Sequence, residues 1–113
     1  MATDERIVAA VTPIVAICEP DMYTPESGEA VAEEYCTYNV NSVPSAFGDD
    51  RAALTTELVQ IHWYLPNGVR PTEKKRQLCR ALQEAGFTYP TVENAGDSTG
   101  QHWVFECECT AEA

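Results

Sequence analysis

The sequence predicts a small α+β domain, in which a mainly antiparallel four-stranded sheet carries two helices packed on one face, in the order α-β-β-α-β-β. Three observations predict this fold. Apolar residues recur at helical spacing in two segments, they alternate with polar residues in others, and turn-forming residues separate the segments. Because the strands come in pairs with a helix between them, we expect mainly antiparallel pairing within one layer. A length of 113 residues fits a single domain over positions 1–113.

Two segments have the pattern of helices. Thr3 fits the N-cap position of the first helix, acidic residues follow it, and Pro13 ends the helix. The second helix runs from position 71 or 72 to position 85, and Gly86 suits the position just after a helix end. The apolar stripe of this helix consists of Leu78, Ala81, Leu82 and Ala85, with Arg76 and Arg80 on the opposite side.

Four segments have the pattern of strands. Positions 59–65 alternate most clearly between apolar and polar residues, and positions 34–40 are rich in β-formers. A proline interrupts positions 87–93, which indicates an edge strand, and positions 101–110 alternate again. Positions 42–53 contain proline, glycine and two adjacent aspartates, which predict a loop or a flexible hairpin. The periodicity predicts a core formed by Val59, Ile61, Trp63, Leu78, Leu82, Phe87, Trp103 and Phe105.

The chain is acidic, with 18 acidic residues against 7 basic ones and a formal net charge of -11. Such a surface repels phosphate, so we expect no conventional DNA binding. The basic residues are clustered, because five of the seven are Arg70, Lys74, Lys75, Arg76 and Arg80. A basic stripe on an acidic body is typical of a self-association surface, and it is also typical of a solvated helix face.

The cysteines indicate a reducing compartment. Their number, five, is odd, and none of them forms a CxxC motif, so we expect no disulfide framework. The first five residues are acidic where a secretory signal would be basic. The longest apolar stretch, positions 14–18, is far too short to span a bilayer. We therefore expect a protein that is cytosolic when made and has no membrane association.

The titratable residues do not form a recognisable catalytic set. His62 and His102 lie on the outward faces of predicted strands, whereas the strand cysteines point inward, so no Cys–His nucleophilic pair is expected. Cys107 and Cys109 form a CxC that lacks a second ligand pair for zinc. We expect the acidic pairs of the chain to be solvent-facing carboxylates and not a catalytic pair. The sequence contains no phosphate-binding glycine loop. We expect no enzymatic activity, no metal and no cofactor.

The succession of elements in the second half of the chain resembles a known family. It begins with the strand Val59–Leu65 and a helix, and continues with a Gly86-Phe87 break. A turn of the type Asp-x-x-Gly, at positions 97–100, then precedes the last strand. Together with the strand Tyr35-Cys36-Thr37-Tyr38, this resembles the tail-terminator (tail-completion, minor tail) proteins of siphophages and prophages. The resemblance covers positions 33–110 and leaves out positions 14–32, which show little periodicity.

The resemblance implies a structural protein of the virion tail, present in the host cytoplasm before assembly. Members of this family cap the tail tube as a ring, usually of six subunits, and join it to the head side. The implied partners are therefore further copies of this chain, the tail tube protein and a head-side connector or completion protein, with DNA only passing through the lumen. An acidic lumen suits that passage, because a basic one would hold the phosphates. As a hypothetical subunit interface we name Arg70, Arg76 and Arg80 against Asp49, Asp50, Glu106 and Glu108.

Three other functions remain open from the sequence, and one of them is an enzyme or small-ligand domain without a recognisable motif. A completion protein at the head-side connector of the same virion would have nearly the same properties. An acidic DNA mimic, which inhibits a host nucleic-acid-binding protein, would suit the small size and the negative charge but not the clustered basic residues.

All five cysteines should be free thiols in the native protein. Thiol titration of protein that is denatured without reductant should count five thiols, because the compartment is reducing and the cysteines occupy apolar positions. A lower count would show that the compartment inferred from the sequence is wrong.

Overall fold

The protein, described by a computed structural model over residues 1–48 and 51–112, contains two helices and one sheet. In chain order the elements are α1 (Thr3–Val11), β1 (Cys18–Pro20), β2 (Tyr35–Gly48), β3 (Arg51–Leu65), α2 (Thr72–Glu84), β4 (Thr91–Asn94) and β5 (Gln101–Glu112). The strands lie in the order β1-β2-β3-β5-β4, with β1 parallel to β2 and all other neighbours antiparallel.

The predicted four-stranded, mainly antiparallel sheet is wrong, because the sheet has five strands and is mixed. The additional strand is β1, which has only three residues and pairs Cys18 with Cys36. The N–H of Cys36 donates to the Ile17 carbonyl at 2.8 Å, and the N–H of Asp21 donates to the Tyr38 carbonyl at 2.8 Å. A strand this short shows no alternation in the sequence, so only its pairing with β2 defines it.

Of the two predictions for positions 42–53, a loop or a flexible hairpin, the described residues agree with the hairpin. Strand β2 continues to Gly48 and β3 begins at Arg51, so positions 42–48 and 51–53 are paired strand ends. A register shift between Pro44 and Ala46 marks a bulge, which accommodates the proline in an edge strand. Pro44, one of the turn-forming residues of this segment, therefore marks the bulge.

The core lies between the two helices and one face of the sheet. Residues at alternate positions of β3 point toward the helices, and their neighbours on β2 and β5 share that face. Both helices add buried residues to the same apolar cluster. The cluster includes Ile7, Val11, Cys36, Tyr38, Val59, Ile61, Trp63, Leu65, Leu78, Leu82, Phe105, Cys107 and Cys109.

Arg6 joins α1 to the end of α2. Its Nη2 and Nε atoms donate to the Ala85 carbonyl at 2.9 Å and 3.2 Å, and its guanidinium carbon lies 4.8 Å from the centre of the Phe87 ring. Gly86 has a φ of 98°, and a Cβ at this position would lie 2.6 Å from Arg6 Nη2. The end of α2 therefore requires glycine both for its left-handed backbone and for the approach of the arginine.

Two predicted element boundaries lie elsewhere in the structure. Helix α1 is capped by Ala2 rather than Thr3, and the Glu5 carboxylate accepts the Ala2 N–H at 3.2 Å. The strand predicted from position 87 begins only at Thr91, after Pro90, although Phe87 is buried. In both places the nearby backbone hydrogen bonds, rather than residue preference, decide the boundary.

Seven of the eight predicted core residues are buried, and Trp103 is the exception. Its ring is only partly covered, since Lys75 Nζ lies 4.1 Å from the ring centre on the helix side. Its Nε1 donates to the Gln101 side chain at 3.1 Å. Trp103 therefore lies at the border of the core, where the ammonium group of Lys75, and not an apolar side chain, contacts the face of its ring.

Replacing Trp63 should destabilise the protein much more than replacing Trp103. Trp63 is fully buried and donates a hydrogen bond from Nε1 to Glu34 at 3.1 Å. We expect Trp63→Ala to lower the free energy of unfolding by roughly 3–5 kcal/mol. The matched variant Trp103→Ala should lose clearly less in the same urea titration, and equal losses would contradict the placement of the two rings.

Candidate assembly surfaces

The face of the sheet that points away from the helices carries no helix, and we call it the open face; most of its residues are exposed or half-buried, and Thr37 is buried. The described residues of this face come from alternate positions of all five strands. Among them are five glutamates and no lysine or arginine. The glutamates of this face are Glu19, Glu93, Glu106, Glu108 and Glu112.

A row of aromatic rings crosses the open face. The ring centres of Tyr35 and Tyr64 are 4.7 Å apart, and those of Tyr64 and His102 are 4.3 Å apart, with nearly parallel planes in both pairs. Tyr23 extends the row beyond β2, at 4.7 Å from Tyr35. The three stacked residues are direct cross-strand neighbours on β2, β3 and β5, so the strand register itself aligns them.

Two histidines on this face are hydrogen-bonded to each other. The Nδ1 atom of His62 and the Nε2 atom of His102 are 2.8 Å apart, so one nitrogen donates and the other must be unprotonated. Burial lowers the pKa of His62, against the opposing effect of Glu106. Burial and the neighbouring His62 lower the pKa of His102, against the opposing effect of Asp97. Both rings therefore prefer the neutral state.

The cysteines lie on the other side of the sheet from these histidines. Cys36, Cys107 and Cys109 face the helices and are buried. Burial, with a smaller effect of the Glu19 carboxylate, raises the pKa of Cys18 to about 12, and burial raises that of Cys107 to about 12 as well. Such thiols stay protonated at neutral pH and make poor nucleophiles. The sheet separates them from the imidazoles of His62 and His102.

The structure places the basic residues of the hypothetical interface on one layer and its glutamates on the other. Arg76 and Arg80 are exposed on α2, and Arg70 is exposed just before it. Glu106 and Glu108 lie on the open face, so these two groups do not meet within a subunit. The two remaining members of the hypothesis, Asp49 and Asp50, lie outside the described residues.

Two lysines among the clustered basic residues already contact partners within the subunit. Lys74 Nζ lies 2.7 Å from the Glu34 carboxylate, which also accepts the hydrogen bond from Trp63. Lys75 covers the Trp103 ring. Arg76 has only an exposed contact of 3.6 Å with Glu73, and Arg80 forms no ion pair with any described residue. Sequence reasoning could not separate the occupied lysines from the free arginines, because Glu34 lies 40 positions away from Lys74.

An apolar groove of about 550 Å³ lies between the two helices on the outer side of the protein. It is lined mainly by small and apolar side chains, with Arg6 and Glu84 among them. The sequence pattern does not reveal it, because the groove exists only where α1 and α2 meet. Its apolar lining residues are Met1, Ala9, Ala10, Pro13, Ile14, Ala81 and Ala85.

Comparison of the chain with protein-family models and with curated proteins found no match. Within residues 1–48 and 51–112, no helix has the length and apolar character needed to cross a bilayer. No group of three or more potential metal ligands occurs in that same part of the chain.

Acid should weaken the fold through the histidine pair. Both pKa values are lowered by folding, so the unfolded state binds more protons, and stability falls as the pH drops below the ordinary histidine pKa of about 6.5. Urea titrations at about pH 7.5 and pH 5.5 should show a larger loss for the wild type than for His62→Gln with His102→Gln. Equal losses would contradict the lowered pKa values.

Proposed function

We propose that this protein is a structural subunit of a long-tailed phage, which closes the tail tube as a ring and joins it to the head-side connector. One observation carries the proposal, namely the separation of charge between the two layers of the subunit. The free arginines Arg76 and Arg80 lie on the helix layer, and the open face is acidic. This separation gives each subunit a basic surface for contact with an acidic group of its neighbour and an acidic surface for the lumen.

The open face suits the lumen of such a ring. DNA must slide past the capping subunits, and a surface with five glutamates and no lysine or arginine among its described residues would repel the phosphates. In this arrangement the helices face outward. The partners are then further copies of the chain, the tail tube protein below the ring and the head-side connector above it.

The helix layer provides the contact between subunits in this arrangement. Arg76 and Arg80 lie one turn apart, and their like charges destabilise an isolated helix by a few tenths of a kcal/mol. The core does not use either residue, because both are exposed. An acidic group on a neighbouring subunit would compensate this repulsion. The proposed role is therefore one of assembly and not of catalysis, which also agrees with the protonated state of the buried thiols.

A second candidate is an acidic mimic of DNA that binds a host protein. The spacing along β5 favours it, since Glu106 and Glu108 are two residues apart on one face of a strand. Alternate residues of a strand lie about 6.8 Å apart, which is close to the distance between successive phosphates in a DNA strand. Such a protein would act as a monomer and would compete with DNA for its target.

Native mass spectrometry and negative-stain microscopy separate the two candidates, with purified tail tubes present in half of the samples. Rings, or caps at the tube ends, support the tail role. A monomer at all concentrations that displaces DNA from a host protein supports the mimic and excludes the tail role.

Reversing the two free arginines should prevent assembly without unfolding the subunit. For Arg76→Glu with Arg80→Glu, we expect a melting temperature close to that of the wild type, because both side chains are exposed and outside the core. Ring formation and tube capping should be lost, and wild-type assembly should weaken as salt is added. The measurements are thermal unfolding by circular dichroism and native mass spectrometry.

The control adds negative charge to the same helix and keeps both arginines. Gln77→Glu with Gln83→Glu changes two exposed positions of α2, and this variant should still assemble. Normal rings and normal capping by the arginine double variant would show that the basic side of α2 is only a solvated surface.

A further inference from the structure

Strand β2 has an unpaired edge beyond the end of β1. The N–H of Cys36 and the carbonyl of Tyr38 point toward β1, where they are hydrogen-bonded. Backbone groups two residues further along a strand point the same way, so the N–H and C=O groups of Val40 and Ser42 also point outward. These groups have no hydrogen-bond partner among the described residues. They form a free edge at the side of the sheet.

This edge lacks the features that keep soluble monomers from pairing. Positions 39–45 contain no charged residue, although 22% of the chain is charged. Val40 and Val43 are exposed by 36% and 40% of their surface. Edge strands of monomers are usually protected by lysines or other charges. Here only Pro44, which has no N–H, and the bulge beside it limit the edge, and they leave about five residues open to pairing.

The other edge of the sheet is β4. It has four residues, Thr91–Asn94, and β5 is its only neighbour among the described strands. Its length therefore matches the open part of β2. Because β4 and β2 are different edges of the same sheet, pairing between them on two copies is a heterologous contact, and contacts of that kind repeat around a ring.

Charges on the helix side of the two edges are complementary. Near the β2 edge, Asp4 and Asp21 lie close enough to Tyr38 to affect its ionisation. Near the β4 edge, a shallow groove of about 250 Å³ is lined by Lys75, Arg76 and Val92, among others. The acidic groups beside one edge would thus face the basic groups beside the other when the two edges meet.

We propose that the β2 edge of one subunit pairs with the β4 edge of the next, so that the sheet continues from copy to copy. The inference rests on the proposed ring and names the contact that builds it. Arg76 then faces Asp4 and Asp21 of the neighbouring subunit, rather than Glu106 or Glu108. The open faces of successive subunits form one continuous acidic surface, and all the helices lie on the other side of it.

The variant Ser42→Pro tests the contact directly. Proline removes the outward N–H of Ser42 and leaves the hydrogen bonds between β2 and β3 in place, because those use the other side of the strand. Ser42→Ala is the matched control, since it keeps the N–H and loses only the hydroxyl that donates to Glu57. In native mass spectrometry we expect the alanine variant to assemble like the wild type, and the proline variant to need at least about tenfold more protein.

Hydrogen exchange on the wild type gives a measurement that does not depend on how well the proline variant folds. The amides of Val40 and Ser42 should exchange at least about tenfold more slowly in the assembled protein than in a diluted monomer. Unchanged exchange at both amides, or unimpaired assembly of Ser42→Pro, overturns the edge contact and leaves the tail role standing.

Single cysteines on the open face identify the partner edge. Asn41 and Glu93 flank the two edges on that face and are exposed. A mixture of Asn41→Cys and Glu93→Cys subunits should form a disulfide between the two variants under mild oxidation with oxidised glutathione. Disulfide dimers of Asn41→Cys alone would instead show that β2 pairs with β2 of a second copy, and would overturn the proposal.

The remaining outcomes separate this inference from the proposed function. A wild-type protein that forms rings with protected β2 amides but never caps tail tubes keeps the edge contact and excludes the tail role. A wild-type protein that stays monomeric with or without tail tubes overturns both.

Discussion

Strand β3 is paired along both of its edges, with β2 from Tyr64 down to Arg51 and with β5 over twelve consecutive residue pairs. Because side chains on a strand alternate between two faces, this double pairing sets the face of nearly every residue on three strands at once. A slip of one residue would move Ile61 and Trp63 out of the core and His62 into it. The burial of Trp63 and its hydrogen bond to Glu34 therefore hold the register of the whole sheet.

The same register places the thiols of the sheet on one face and the imidazoles on the other. Thiols collect on the helix side, where burial raises their pKa values and makes them ordinary apolar residues. Both imidazoles and the phenols of Tyr35 and Tyr64 lie on the open face, where the stacked Tyr35, Tyr64 and His102 form a half-buried row. Charge divides in a similar way. The exposed arginines Arg76 and Arg80 come from α2, whereas the described charged residues of the open face are all carboxylates.

The residues available for the candidate interface are the charged side chains that do not already form a close ion pair within the subunit. Lys74 and Arg76 look alike in the sequence, two positions apart on one helix. The structure brings Glu34 to Lys74 through the start of β2, so Lys74 is neutralised and Arg76 is left with one exposed neighbour. The tertiary structure also changes the acidic residues that we propose as partners of Arg76. Glu106 and Glu108 lie on the open face, whereas Asp4 lies on α1 near Tyr38, and Asp21 follows β1 beside the β2 edge.

The two helices, the alternation in β3 and β5, and seven of the eight core residues named above follow from the sequence alone, because periodicity reports directly which side of an element is apolar. The sequence also determined the acidic balance and the inward cysteines. Three features depend on the folded structure, namely that Cys18–Pro20 is a strand, that positions 42–48 and 51–53 are paired strand ends, and that Lys74 is ion-paired with Glu34. A three-residue strand, a bulge at Pro44 and an ion pair across 40 positions have no local pattern. Each exists because another segment supplies the hydrogen bonds or the charge, and that segment is near in space but distant along the chain.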